Sequence, residues 1–209
     1  NGVNAIIIRE DDKVIQVKLT DGNSEVIIAN RNGRAIRFNE SKVREMGRMS
    51  TGVRGMTLDG GDDEVVGMVT VPQDTTDNIL VVSEKGYGKR SDLDEYRITN
   101  RGGKGVKTIN VTEKTGKLVA IHNVNDENDL MIINKSGIAI RFEVASLRVQ
   151  GRATQGVRFI NLEKREDEIA SICAVDRYQE EEILEDEVSE ELEEAKKEFD
   201  NIEGVTEDN

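Results

Sequence analysis

Residues 33–58, GRAIRFNESKVREMGRMSTGVRGMTL, and residues 137–162, GIAIRFEVASLRVQGRATQGVRFINL, align without a gap and agree at 12 of 26 positions. Agreement at that level inside one chain of 209 residues marks an internal repeat, in which neighbouring copies of one unit bury a shared core. A third copy lies between them. Gly33, Gly86 and Gly137 each precede an arginine by four positions (Arg37, Arg90, Arg141) and a second glycine by nineteen (Gly52, Gly105, Gly156). Each second glycine is followed by valine and then by a cation, Arg54, Lys107 or Arg158, so the spacing between units is 53 and then 51. Upstream, Gly2-Val3 precedes Gly52-Val53 by 50 residues. About three and a half units are therefore expected, with further units preceding them.

Within a unit, a β-branched run leads into a tight turn and out again. EVIIA (25–29) meets Asn32-Gly33 and leaves as RAIRF, LVVSE (80–84) meets Lys85-Gly86, and LMIIN (130–134) meets Ser136-Gly137. Asn-Gly between apolar runs is the strongest short-range hairpin signal. Further strands are expected near 65–71, 118–124 and 169–175, giving roughly four short strands per unit and no helix before the C-terminal tail. A period near fifty with four strands per unit fits an all-β, propeller-like array of four-stranded blades.

Composition agrees with that class and narrows the function. Aromatic residues are 3% of the chain and Trp is absent, so the core must come from Ile, Val, Leu, Met and Ala. One cysteine, Cys173, rules out an internal disulfide framework, and no run approaches the length of a membrane span or shows a secretion signal, so a cytoplasmic protein is expected. The net charge of −13 belongs entirely to residues 179–209, which hold 15 acidic and 2 basic side chains. That segment carries Leu184, Val188, Leu192, Ala195 and Phe199 at helical spacing, so the chain divides into a repeat body, 1–178, and an acidic, partly helical tail, 179–209.

The neutral body is not evenly charged. Residues 31–58 carry a net +5, and the matching windows 85–107 and 135–158 carry +4 each. If the same part of every blade is basic, a radial array lines those parts up as a positive stripe, and the polyanion that fits such a stripe is duplex DNA, bound through its phosphates. Bracing is the alternative: an arginine four residues after a turn glycine can hold its hairpin against a neighbouring strand. Carboxylates are scarce inside these windows, and Arg48 and Arg152 have no local partner. The middle unit differs from its neighbours, reading TNRGGKGVK at 99–107, and its glycines and cations read as a phosphate-binding loop. It is not a nucleotide P-loop, because Val106 stands where that motif needs glycine and no strand-loop-helix pattern surrounds it.

Residues 86–116, GYGKRSDLDEYRITNRGGKGVKTINVTEKTG, together with GRATQGVRFINL at 151–162, resemble the later blades of the C-terminal DNA-wrapping domain of bacterial DNA gyrase A, a resemblance that extends over residues 1 to about 178. It implies a β-pinwheel, a propeller variant that wraps DNA around a basic rim so that the parent enzyme introduces negative supercoils. The family's diagnostic box QRRGGKG is matched by TNRGGKG at 99–105, carrying over Arg101, Gly102, Gly103, Lys104 and Gly105, while Thr99 and Asn100 depart from it. The corresponding chain of topoisomerase IV is similar in fold but lacks an intact box, which favours gyrase. The resemblance also implies partners, the remainder of gyrase A together with gyrase B in a heterotetramer, and ATP with Mg2+ acting elsewhere in that assembly.

The DNA-binding set expected from stripe and box is Arg37, Arg44, Arg48, Arg54, Arg90, Arg97, Arg101, Lys104, Lys107, Arg141, Arg148, Arg152 and Arg158, with Gly102, Gly103 and Gly105. No catalytic or metal-binding residue is expected in this chain, since His122 and Cys173 lack partners at ligand spacing and Tyr87, Tyr96 and Tyr178 read as packing residues. A protein-docking propeller of the WD or kelch class is the competing reading, although its Trp-Asp and Gly-His elements are absent.

Overall fold

The computed structural model describes residues 2–162 and 167–177. The acidic segment 179–209 and Tyr178 lie outside them. Eleven strands form three antiparallel sheets among the described residues. Blade I takes β1 (Glu25–Asn30), β2 (Arg34–Asn39) and β3 (Val65–Val71). Blade II takes β4 (Asn78–Ser83), β5 (Tyr87–Asp92) and β7 (Leu118–Val124). Blade III takes β8 (Asn128–Asn134), β9 (Ala139–Glu143) and β11 (Ile169–Asp176). In each sheet the first hairpin strand is central, flanked by its hairpin partner and by the strand that starts 40 or 41 residues after it.

The fourth strand comes from the following repeat. β6 (Val106–Lys107) pairs with Arg34 and Ala35 of blade I, and β10 (Val157–Arg158) pairs with Gly88 and Tyr87 of blade II. Among the described residues the second and third units have the expected four strands and the first has three, and in each four-strand unit one strand leaves its own sheet and completes its neighbour's. Among the described residues no strand completes the outer edge of β9. The donated backbone comes very close: a Cβ on Gly105 would lie 2.3 Å from the Ala35 carbonyl oxygen, and one on Gly156 would lie 2.3 Å from that of Gly88. Their φ angles of +73° and +79° also require glycine.

Strand alternation places the cores between blades rather than inside them. On β4, Ile79 and Val81 join Ile27, Ala29, Val69 and Val71 of blade I, while Leu80 and Val82 face Leu130 and Ile132 of blade III. Val26, Ile36, Phe38 and Met56 form a third cluster on the other face of blade I. Tyr87 and Tyr96 are buried, as expected of packing residues. Each hairpin ends in a 3-10 turn: Glu40–Lys42, capped by the Asn39 side chain on Ser41 N; Leu93–Glu95, capped by Asp92 on Asp94 N; and Val144–Ser146. These short turns are the departure from the expectation of no helix before the tail.

Candidate nucleic-acid interface

Each repeat offers cations at four positions, and the fold treats the four differently. At the first position the Arg37 and Arg90 side chains point into blade boundaries. The Arg37 side chain is 10% exposed, pairs with Glu25 on β1, and donates from Nη1 to the Leu93 and Tyr96 carbonyls at 2.7 and 3.1 Å. Arg90 is 9% exposed, pairs with Asp126, and donates from Nε to the carbonyl of Leu147, the repeat counterpart of Tyr96. Arg141 pairs with Asp129, the counterpart of Glu25, at 2.7 Å. The bracing alternative therefore holds for Arg37 and Arg90, and the expectation that they face DNA is revised. Their carboxylate partners lie outside the basic windows, on the other hairpin strand or in a loop, and their carbonyl partners lie in the next repeat.

The third position makes a repeated clamp. Arg101 donates from Nε to the Lys42 carbonyl at 2.9 Å and from Nη1 to the Arg54 carbonyl at 3.0 Å. Arg152 donates from Nε to the Glu95 carbonyl at 3.0 Å and from Nη1 to the Lys107 carbonyl at 2.7 Å. Lys42 and Glu95 are equivalent in the repeat, as are Arg54 and Lys107, so each guanidinium grips the same two carbonyls of the unit before it. Arg152, locally unpaired in the sequence, is thus bound. Two of a guanidinium's five donors are used, and both side chains keep part of their surface in water.

The second position is free. Arg44, Arg97 and Arg148 each stand two residues beyond a 3-10 turn, are exposed, and make no hydrogen bond or ion pair among the described residues. The turn sets this direction. The residue just before Arg97 is the buried Tyr96, and the one just after, Ile98, bridges in parallel to Arg37 of the previous blade, an arrangement repeated by Val149 and Arg90. Arg97 shares a cleft of about 270 Å3 with Asn100, Gly103 and Lys104 on the outer edge of blade I. Arg48 and Arg54 are also exposed, and their side chains make no such bonds among the described residues. At the fourth position Lys107 donates to Asn110 Oδ1 at 3.4 Å, and Arg158 bonds the Tyr87 hydroxyl while lying over its ring.

The RGGKG loop lies against the preceding repeat. Gly102 N donates to the Gly55 carbonyl, Thr57 N donates to the Gly103 carbonyl at 2.9 Å, and Thr57 Oγ1 donates to the Gly102 carbonyl at 2.6 Å. The Gly102 amide is thus already engaged, and Gly105 serves close approach to β2, so the loop presents cations more than open amides. Lys104 Nζ is 2.9 Å from Asp59 Oδ1. The loop runs into a two-residue strand rather than a helix, which does not fit a triphosphate cradle, and among the described residues no cluster of His, Cys, Asp and Glu could hold a metal ion. No helix among them is long and apolar enough to cross a membrane.

Comparison with known proteins bears on the same three blades. Residues 24–72, 77–125 and 128–175 match the family described as DNA gyrase C-terminal domain, beta-propeller. The chain is 46% identical over 190 residues to the DNA gyrase A chain of Staphylococcus aureus (strain NCTC 8325 / PS 47), an overlap of 90% of this chain and 21% of that one. It thus spans about a fifth of the length of the curated relatives it matches. Among solved structures it superposes on a DNA gyrase A C-terminal domain with a TM-score of 0.74 at 27% identity, over 83% of this chain and 58% of that one. The C-terminal domain of a DNA topoisomerase IV gives a TM-score of 0.76 at 24% identity, over 82% and 53%, a likeness of fold.

Proposed function

Because the chain belongs to the DNA gyrase C-terminal β-propeller family, we propose that its outer edge binds duplex DNA without sequence preference and bends it around the blades. The observation that carries this reading is the set Arg44, Arg97 and Arg148: one exposed, uncommitted guanidinium per repeat, at the same position each time. Arg48, Arg54, Arg101, Lys104, Lys107, Arg152 and Arg158 extend the set along the rim, with Gly102, Gly103 and Gly105 shaping the loop that presents Lys104. Arg37 and Arg90 brace the blades that carry it, and Arg141, exposed and paired with Asp129 of its own blade, remains at the rim's end.

Phosphate contacts fix position and release counterions, and they carry no sequence information. Bending a short duplex costs on the order of 1–6 kcal/mol, which a row of evenly spaced contacts offsets. In this reading the chain acts in the cytoplasm as part of a gyrase holding the remainder of gyrase A together with gyrase B, where ATP and Mg2+ would act; this chain supplies DNA geometry and no catalytic group. A protein-docking propeller finds no support among the relatives found.

The test is binding to linear duplexes of increasing length over a salt series, with bending followed by end-to-end energy transfer. We expect affinity and bending to grow with length, and log K to fall steeply with log salt. The triple change Arg44→Gln, Arg97→Gln, Arg148→Gln should flatten that slope by roughly 2.7, about 0.9 for each phosphate no longer neutralised. An unchanged slope would remove these arginines from the interface, and no binding by the native chain at low salt would overturn the reading.

A further inference from the structure

Asp59 stands between two cations of the rim. Its Oδ1 is 2.9 Å from Lys104 Nζ and its Oδ2 is 3.7 Å from Arg34 Nε. These two cations hold the Asp59 carboxyl below the usual carboxylate range, the Lys104 hydrogen bond contributing most. Asp59 opens the loop DGGDDE, 59–64, whose buried Asp63 acts as the anchor: it accepts from Asn30 Nδ2 at 2.7 Å, from Asn32 N at 3.1 Å and from Asp59 N at 3.0 Å. The loop is fixed from below, and the Asp59 carboxylate is presented at the junction of blades I and II. On the same loop, Asp62 pairs with Lys117 and Glu64 with Arg31.

The next junction keeps this contact but not its charge. Thr112 is the repeat counterpart of Asp59 and Gln155 that of Lys104, and Gln155 Nε2 donates to Thr112 Oγ1 at 3.4 Å. A side chain at this place can therefore reach across the blade boundary without an ion pair. The charged version occurs where the box supplies a lysine. Lys104 is 62% exposed and Asp59 33%, so water and a larger anion reach the pair. An ion pair this exposed contributes little to folding. What distinguishes it is that one anionic oxygen pair sits where two cations converge, which is the seat a backbone phosphate would take.

We infer that Asp59 is an internal stand-in for a DNA phosphate, occupying the seat between Arg34 and Lys104 until a duplex displaces it, so that this carboxylate sets how readily the box lysine engages DNA. The inference rests on the DNA-binding reading and assigns a role to a residue outside the basic set. Displacement moves no covalent bond: the carboxylate swings to water as a phosphate oxygen takes its place. The junction of blades I and II then binds DNA through exchange, whereas the free arginines at the second position bind directly.

The experiment compares the 209-residue chain with Asp59→Asn, Lys104→Gln and the double variant, measuring affinity for a duplex long enough to be bent, the salt slope, and thermal stability. Asp59→Asn should tighten binding about three- to fivefold at moderate salt, through removal of one exposed ion-pair competitor, and should steepen the slope by about 0.9 for each cation released to a phosphate. The gain should shrink by half or more when Lys104→Gln is present, because only the longer Arg34 contact is then left to be released. A plain structural staple gives the opposite pattern, with unchanged or weaker binding and lower melting temperatures for both single variants, and would overturn the inference. If native chain and Asp59→Asn both fail to bind at low salt, the DNA-binding reading falls and takes this one with it; native binding without a gain on Asp59→Asn sinks the stand-in role alone.

Discussion

Lys89 occupies the position that Ile36 and Ile140 hold in the other two blades, and it is fully buried there. Its Nζ donates to the Gly151 carbonyl, which satisfies one donor, yet burial still holds the ammonium down at about 8 from its ordinary 10.5. The folded state therefore disfavours the protonated lysine. Below pH 8 that cost is present in full, between pH 8 and 10.5 the unfolded chain binds more protons than the folded one, and stability from this group rises with pH before levelling off. Denaturant melts at about pH 7 and about pH 10 should show that rise in the native chain and a flatter dependence in Lys89→Met. Arginines invite a second contrast. Arg152→Ala should lose about 2 kcal/mol of stability, because two charge-assisted bonds to carbonyls disappear, while Arg148→Ala should leave the melting temperature within about a degree and weaken DNA binding. Which arginines point outward could not be read in the sequence: a guanidinium bonded to backbone carbonyls leaves no complementary residue type to find. Aligning the repeats would have flagged Asp59 opposite Thr112, and Lys104 opposite Thr51 and Gln155.

For whole elements, the donated strand is the weak joint and the informative one. Gly105→Ala and Gly156→Ala each force a methyl onto a carbonyl at 2.3 Å from a left-handed backbone, so each should cost about 2 kcal/mol or more in chemical denaturation. Gly52→Ala shares the positive φ, +81°, but meets only the far end of Ile6 at 4.0 Å, so its cost should be visibly smaller. If the three changes prove equal, proximity to the neighbouring blade is not what restricts these glycines. Hairpins were legible because Asn-Gly and Ser-Gly punctuate β-branched runs, and the strands at 65–71 and 118–124 fell where expected. β6 and β10 were not legible as donors. Two residues of pairing carry no periodicity, and their partners, Arg34-Ala35 and Tyr87-Gly88, sit about seventy residues upstream in another unit.

Across the whole molecule, cores that lie between blades and strands exchanged between them couple each blade to the next, so the described body should unfold in one transition rather than blade by blade. Amide hydrogen exchange should be fastest in β9, whose outer edge has no partner among the described residues, and slower in β2 and β5, which have β6 and β10 beside them. Equal protection in all three would show that edge pairing contributes little to local opening. The exchange of strands also bears on how such a chain can lengthen or shorten over generations. Blade I is assembled from residues 25–39, 65–71 and 106–107, so the stretch of gene that encodes a repeat and the body that folds in space are out of phase. A duplication or deletion spanning one full period, wherever it starts, keeps a donor of the right kind for every blade that has a following repeat. One that removes half a period orphans an edge and leaves a donor with nothing to complete, so selection would see this array grow and shrink only in whole periods.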